Sequence, residues 1–545
     1  MNAPRTRFAA AALALALVAA ACTDGAAEPA PLGFTDVANE VGLEFTHGAF
    51  QWGLSADPAA MMGGGLCWID YDNDGWLDLF VVNTWAEAEW GLWQEEEGGL
   101  PTSALFKNRR GDFADVSEKA GVNLELRGNG CVAGDLDGDG HTDLYVTTAR
   151  GDVLLWNNGD GTFSDGTAAV ADTYGWHSGA AIGDVNGDGL PDLFVTGYAD
   201  PNTPNPEGGL AFPNTQLALP DLLYLNMGPG PDGHAVFEEV GRQVGLETSG
   251  LEYGLGAVLS DFDSDGDLDL FVANDTNPNR LYENISVIET PGFRFSDVTE
   301  AAGVGDINSG MGVAAEDYDG DGLSDIIVTN LGDQLHSVYR NKLNLGFTED
   351  HTGLGIPDFG VGSTGWGVSW ADYDLDGDRD LMIANGFIPL NGDEDRQPIA
   401  FYTKTESGLA DTAGVVGISA IGPIHGRGLA AADYDNDGDV DVAVAAIGGP
   451  LRLLENTTAG PNWLGVDLDG FNPGAIVTVT LDDGRQLRCE VRAGSSWLSS
   501  EDPRCHFGLG SATVQRVLVQ WPDGQRAVVE APDANTMLGI DSPAA

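Results

Sequence analysis

Asp70-Tyr71-Asp72-Asn73-Asp74-Gly75-Trp76-Leu77-Asp78-Leu79-Phe80-Val81 decides the reading of this chain. Three carboxylates at alternate positions, a glycine for a sharp turn and a further Asp can surround one hard cation with oxygens, the chemistry calcium requires. The same nine-position pattern occurs seven times. Its candidate ligands are Asp70, Asp72, Asp74 and Asp78; Asp135, Asp137, Asp139 and Asp143; Asp184, Asn186, Asp188 and Asp192; Asp261, Asp263, Asp265 and Asp269; Asp317, Asp319, Asp321 and Asp325; Asp372, Asp374, Asp376 and Asp380; and Asp433, Asp435, Asp437 and Asp441. About seven calcium ions per chain are therefore expected. An EF-hand would place a bidentate Glu at position 12 and a helix after it. Here that position holds Val81, Val146, Val195, Val272, Val328, Ile383 and Val444, β-branched residues that belong to strands.

Working outward, each loop leads into an apolar run and then a second landmark ending in Asn, as in Leu105-Phe106-Lys107-Asn108 and Val338-Tyr339-Arg340-Asn341. A third landmark follows, Phe113-Ala114-Asp115-Val116 in the first repeat. Three such segments and the strand before the loop make a four-stranded blade. After the last loop, Leu453-Leu454-Glu455-Asn456 has no third landmark behind it; the missing piece stands at the other end, at Phe34-Thr35-Asp36-Val37. That exchange predicts an all-β fold, a closed seven-bladed β-propeller followed by a smaller C-terminal β domain. Five residues before each first Asp stands a glycine (Gly65, Gly130, Gly179, Gly256, Gly312, Gly367, Gly428), which predicts close backbone approach along the axis.

The acids are the compositional outlier: 85 Asp plus Glu against 24 Lys plus Arg, a formal net charge of −61. Such a surface repels phosphate backbones and anionic lipid, so nucleic acid is excluded as a partner and a membrane is expected only through a lipid anchor. Arg5 and Arg7 precede an apolar run from Phe8 to Ala21, which reads as an export signal. The small residues leading into Cys22 resemble a lipobox, which makes Cys22 the expected lipidation site; a plain cleaved signal is the alternative. An exported protein, anchored at the outer membrane or extracellular, is expected. Cys67 with Cys131 and Cys489 with Cys505 are the expected disulfides, since each pair shares adjacent repeats or the C-terminal domain.

These loops and their glycine-rich strands resemble the FG-GAP/VCBS repeats, also found in the integrin α-subunit propeller. Asn462-Trp463-Leu464-Gly465-Val466, His506-Phe507-Gly508-Leu509-Gly510 and Trp521-Pro522-Asp523-Gly524 look like an ASPIC/UnbV domain. The combination resembles bacterial relatives of cartilage acidic protein, although Gly470 to Ala475 lacks the Arg/Gly-rich piece expected there. The implied organisation is a signal at 1–22, a tether at 23–32, a propeller at 33–458 and an ASPIC/UnbV-like domain at 461–541. The resemblance implies extracellular, calcium-binding, adhesive or scaffolding behaviour and no established reaction.

Three insertions, Thr84–Ser103, Tyr198–Pro220 and Gly386–Pro398, occupy one place in their repeats and are expected on one rim. Trp85, Trp90 and Trp93 in the first suit a protein or glycan partner. His177 and Trp366, with Tyr253, His425 and Arg427, suggest an axial mouth for a ligand; loops packing over one another, or side chains plugging the channel, are the plainer readings. Arg150-Gly151-Asp152 spells an adhesion triplet that Asp-Gly-rich chains produce easily. No nucleophile–base pair, phosphate loop or His cluster occurs, so a binding module is expected rather than an enzyme. A lectin-like glycan-binding module is the alternative, and a polysaccharide-active enzyme a weaker one.

Overall fold

In a computed structural model of the chain, residues 32–170, 174–209, 211–246, 251–287, 292–350, 353–458 and 460–542 are described. The signal, Cys22 and all but the end of the tether lie outside them. No helix among the described residues is long and apolar enough to cross a membrane.

The protein is all-β. Among the described residues up to 458 the strands form six antiparallel sheets of four strands and one of five. In the first, Leu66–Ile69, Asp78–Val81, Ala104–Asn108 and Phe113–Asp115 lie side by side in chain order. The Asp-rich loop is thus the hairpin turn between the innermost strand and the second, with Ile69 opposite Asp78. The sheet begun by Gly426–Ala432 is completed by Phe34–Asp36, whose Phe34 pairs with Asn456.

Each sheet buries both faces. Leu66 and Trp68 pack with Ala430 and Ala443, whereas Cys67 and Ile69, alternating with them, pack with Cys131 and Ala133. This is why the strands after the loops read as unbroken apolar runs. The innermost strands abut in sequence, from Leu66–Ile69 through Gly128–Gly134 onward, and Gly426–Ala432 lies against Leu66–Ile69. A disulfide joins Cys67 to Cys131 across two of these strands.

The Asn of the second landmark is a clip between sheets. Asn157 Nδ2 donates to Thr142 O of its own loop at 3.0 Å and to Tyr71 O of the preceding sheet's loop at 2.8 Å. Asn108, Asn226, Asn284, Asn341 and Asn456 make the same crossing, to Tyr434, Leu136, Val185, Phe262 and Tyr373. The sheet of Ala400–Thr405 carries Lys404 instead, whose Nζ reaches the corresponding carbonyl, Tyr318 O, at 3.5 Å.

Two further sheets, one with Asn462–Leu468 between Cys505–Gly510 and Met537–Ile540 and one of four strands, form the C-terminal domain around Leu464, Val477, Phe507 and Trp521. The disulfide Cys489–Cys505 links them. From this domain, Ala493 to Ser500 enters the space between the innermost strands. Ser496 exchanges backbone hydrogen bonds with Val313, Ile182 donates to Ala493 O, and Ser500 donates to Leu66 O. Glycine at the axial positions makes the room: a Cβ on Gly65 would sit 2.1 Å from Leu498 O, and one on Gly312 2.0 Å from Trp366 O of the neighbouring strand. Close approach was expected; the inserted segment was not.

Trp497 ends up 0% exposed, edge-on to Trp366 with ring centres 4.7 Å apart, its Nε1 donating to Met62 O. Trp497→Ala should lower stability by about 3–5 kcal/mol, as for other buried aromatics. Denaturant unfolding checks this; a loss below about 1 kcal/mol would contradict the seating of the segment in the centre.

Candidate metal centres

Six of the seven Asp-rich turns are closed the same way at position one; in the seventh, Asp433 keeps only the bond from Asp437 N. Asp70 at position one accepts backbone hydrogen bonds from Asp74 N at 3.0 Å and Gly75 N at 2.8 Å, which curls the loop back on itself. Position six needs glycine because its φ is positive, +81° at Gly75. Asp78 at position nine is tied into the sheet: its two oxygens accept from Tyr71 N at 3.2 Å and from Asn108 N at 2.7 Å. The clip residue therefore orients a candidate ligand as well as joining sheets. Asp143 with Asn157, Asp192 with Asn226, Asp269 with Asn284 and Asp325 with Asn341 repeat this bond, and Asp380 takes it from Lys404 N.

Carboxylate oxygens converge as a result. Asp70, Asp72 and Asp78 place one oxygen each within 4.8 Å of one another, as do the groups Asp135, Asp137, Asp143; Asp261, Asp263, Asp265; Asp317, Asp319, Asp325; and Asp372, Asp374, Asp376. Burial, with like-charged neighbours adding, pushes the position-nine carboxyls far above the usual range: Asp78, Asp192, Asp269 and Asp325 to about 8 and Asp143 to about 9. Asp325, Asp380, Asp433 and Asp441 each keep a buried Oδ2 without a hydrogen-bond partner. A buried, unpaired carboxylate oxygen is costly unless a cation meets it. The donor set, all oxygen and strongly anionic, fits a hard divalent cation such as calcium. Several of these clusters can hold a metal ion.

The C-terminal domain rests on the same face. Arg485 donates to Asp376 O at 2.8 Å, Arg504 to Asp433 O at 2.7 Å, and the buried Glu490 accepts from Asp261 N at 3.1 Å. A cleft of about 520 Å³ lined by Asp70, Asp135, Asp467 and Phe471 separates it from the first two loops.

The other candidates divide. Trp90 is 53% exposed and Trp93 half-buried, while Trp85 is buried beneath the Arg127 guanidinium. Trp52, 40% exposed, stands edge-on to Trp93 at 4.8 Å and joins this rim; it lies far from the insertion in sequence, so nothing there singled it out. Buried Glu89 holds the two segments together by accepting from Phe50 N and Trp52 N. The axial mouth is filled. Trp366 packs on Trp497, Arg427 stacks on Trp366 at 3.9 Å, and buried His177 pairs with Asp152 at 2.7 Å, so neither His177 nor Trp366 presents a surface to a partner. The same pairing buries the Asp of the adhesion triplet, which also accepts from Tyr145 Oη.

Comparison with known proteins bears on these features. The FG-GAP-like repeat family matches residues 70–146, 135–195, 261–328 and 317–383, and the ASPIC and UnbV family matches 468–545. Cartilage acidic protein 1 of Xenopus tropicalis is 25% identical over 88% of this chain and 73% of its own length. The Homo sapiens protein of that name is 27% identical over 57% of this chain, which spans about half (47%) of it. An Agrocybe aegerita lectin described as recognising non-reducing terminal N-acetylglucosamine aligns at 16% identity and a TM-score of 0.38, covering 66% of this chain and 94% of its own; at that score the likeness carries no functional argument. The chain is an FG-GAP-like repeat protein with a C-terminal ASPIC/UnbV domain, homologous to cartilage acidic protein 1.

Proposed function

We propose that the chain is a closed seven-bladed β-propeller, stiffened by about seven calcium ions in its Asp-rich turns, that works as an adhesion or scaffolding module. The observation that carries this is the repeated convergence of carboxylates on a residue that also clips neighbouring sheets together. Calcium in each turn would neutralise the repulsion and lock the clip in one act. The module binds rather than catalyses, and its rim, with Trp52, Trp90 and Trp93, faces protein or glycan at the cell surface. Export, with Cys22 as the lipid anchor, completes the reading.

Exposed indoles also suit sugars, which keeps a lectin-like role as the second reading. A glycan array and a surface-protein capture in calcium, each repeated with Trp52→Ala/Trp90→Ala, separate the two. Binding that the double variant loses supports the rim; binding it retains in full rejects the rim.

Chelation should lower the melting temperature by at least about 10 °C, since each filled site adds stability by mass action. An unchanged melt would contradict structural calcium. The pH response should change sign with the metal. In chelator, carboxyls such as Asp78, raised by burial from 3.8 to about 8, contribute stability that is full below about 4 and lost as pH rises through about 8. The chelated protein should therefore melt higher at pH 5 than at pH 9. Calcium should reverse that order, because protons then compete with the cation.

A further inference from the structure

One position differs in charge from sheet to sheet, and where it is basic it pairs with the carboxylates of its own loop. It is the residue just before the clip. In the first sheet it is Lys107, whose Nζ pairs with Asp72 and lies 3.1 Å from Asp74 Oδ2, positions three and five of its own loop. In the fifth it is Arg340, which pairs with Asp319 and lies 3.7 Å from Asp321 Oδ2, the same two positions. In the fourth and seventh sheets it is acidic, Glu283 and Glu455, and Glu455 Oε2 accepts from Tyr434 Oη, position two of its own loop, at 3.1 Å. Those two loops, like the sixth with Asp378, also carry an extra acid at position seven, Asp267 and Asp439. Buried Asp439 keeps an unpartnered Oδ1, and buried Asp441 an unpartnered Oδ2. The second, third and sixth sheets have neutral Trp156, Leu225 and Thr403 there.

Resting on the calcium reading above, we propose that this residue grades the cation sites. Loops 1 and 5 contain a built-in cation that occupies ligand oxygens, so a divalent ion must displace Lys107 or Arg340 and then bind beside it. Loops 4 and 7 meet the ion with additional carboxylate instead. Charge repulsion at these separations acts directly on affinity, and metal affinity in such loops follows the number of ligand charges. The chain thus combines tight sites, filled whenever calcium is present, with a weak pair that fills last and responds to the free calcium outside the cell. Neither basic side chain is fully buried: Lys107 is 24% exposed and Arg340 36%.

The test is equilibrium dialysis of the full chain against radiolabelled calcium alone, at stepped free concentrations, for wild type, Lys107→Met/Arg340→Met and Glu283→Lys. The wild type should fill in two steps. In the double variant the last pair of ions should bind at about tenfold lower free calcium. Glu283→Lys should move one ion from the early step to the late one, so either variant carries the test if the other misfolds. A double-variant isotherm that superimposes on the wild type, at equal saturation, overturns the grading and leaves the calcium loops standing. No calcium at saturation overturns both.

Discussion

Carboxylates forced into one turn repel each other, and here the turn cannot open to relieve them. Asp78 is fastened by Tyr71 N and Asn108 N, and Asn108 is itself fastened to Tyr434 O in the loop of the neighbouring sheet. The repulsion is thus stored at the points where sheets join. Water cannot disperse it, because the position-nine carboxyl is buried; a cation in the turn can. On this account the acid surplus is neither solubilising decoration nor disorder. It is the anionic half of a joint whose cationic half comes from solution.

A second constraint lies at the centre. The innermost strands of the sheets abut, and glycine along them leaves backbone and apolar side chains to be covered. The C-terminal domain resolves this by sending Ala493 to Ser500 inward, where its backbone pairs with Val313, Ile182 and Leu66 and Trp497 caps the apolar cluster of Met61, Met62 and Trp366. The two domains therefore share a core. Arg485, Arg504 and Glu490 bring the same domain down onto the loops, so its docking and the state of the turns are physically connected.

What could be read in the sequence was what repeats. The nine-position pattern placed the hairpin turns, the displaced Phe34-Thr35-Asp36 foretold the pairing with Asn456, and the axial glycines announced close approach. What could not be read was what crosses between repeats. Asn108 was visible as a landmark, but its partners are carbonyls, which leave no trace in side-chain identity. Lys404 broke the pattern at one position and yet reaches the same acceptor, which only the folded geometry reveals. Ser496 and Trp497 belong to one domain by sequence and to the other by packing. Trp366 and His177 read as a mouth because nothing in their own repeats foretold the segment that fills it.

The most direct measurement is a crystal structure grown in calcium with anomalous data collected to locate the ions. The account predicts a peak in each Asp-rich turn, about 2.3–2.6 Å from the oxygens of positions one, three, five and nine. Turns free of anomalous density, with their carboxylates protonated or splayed into solvent, would contradict it.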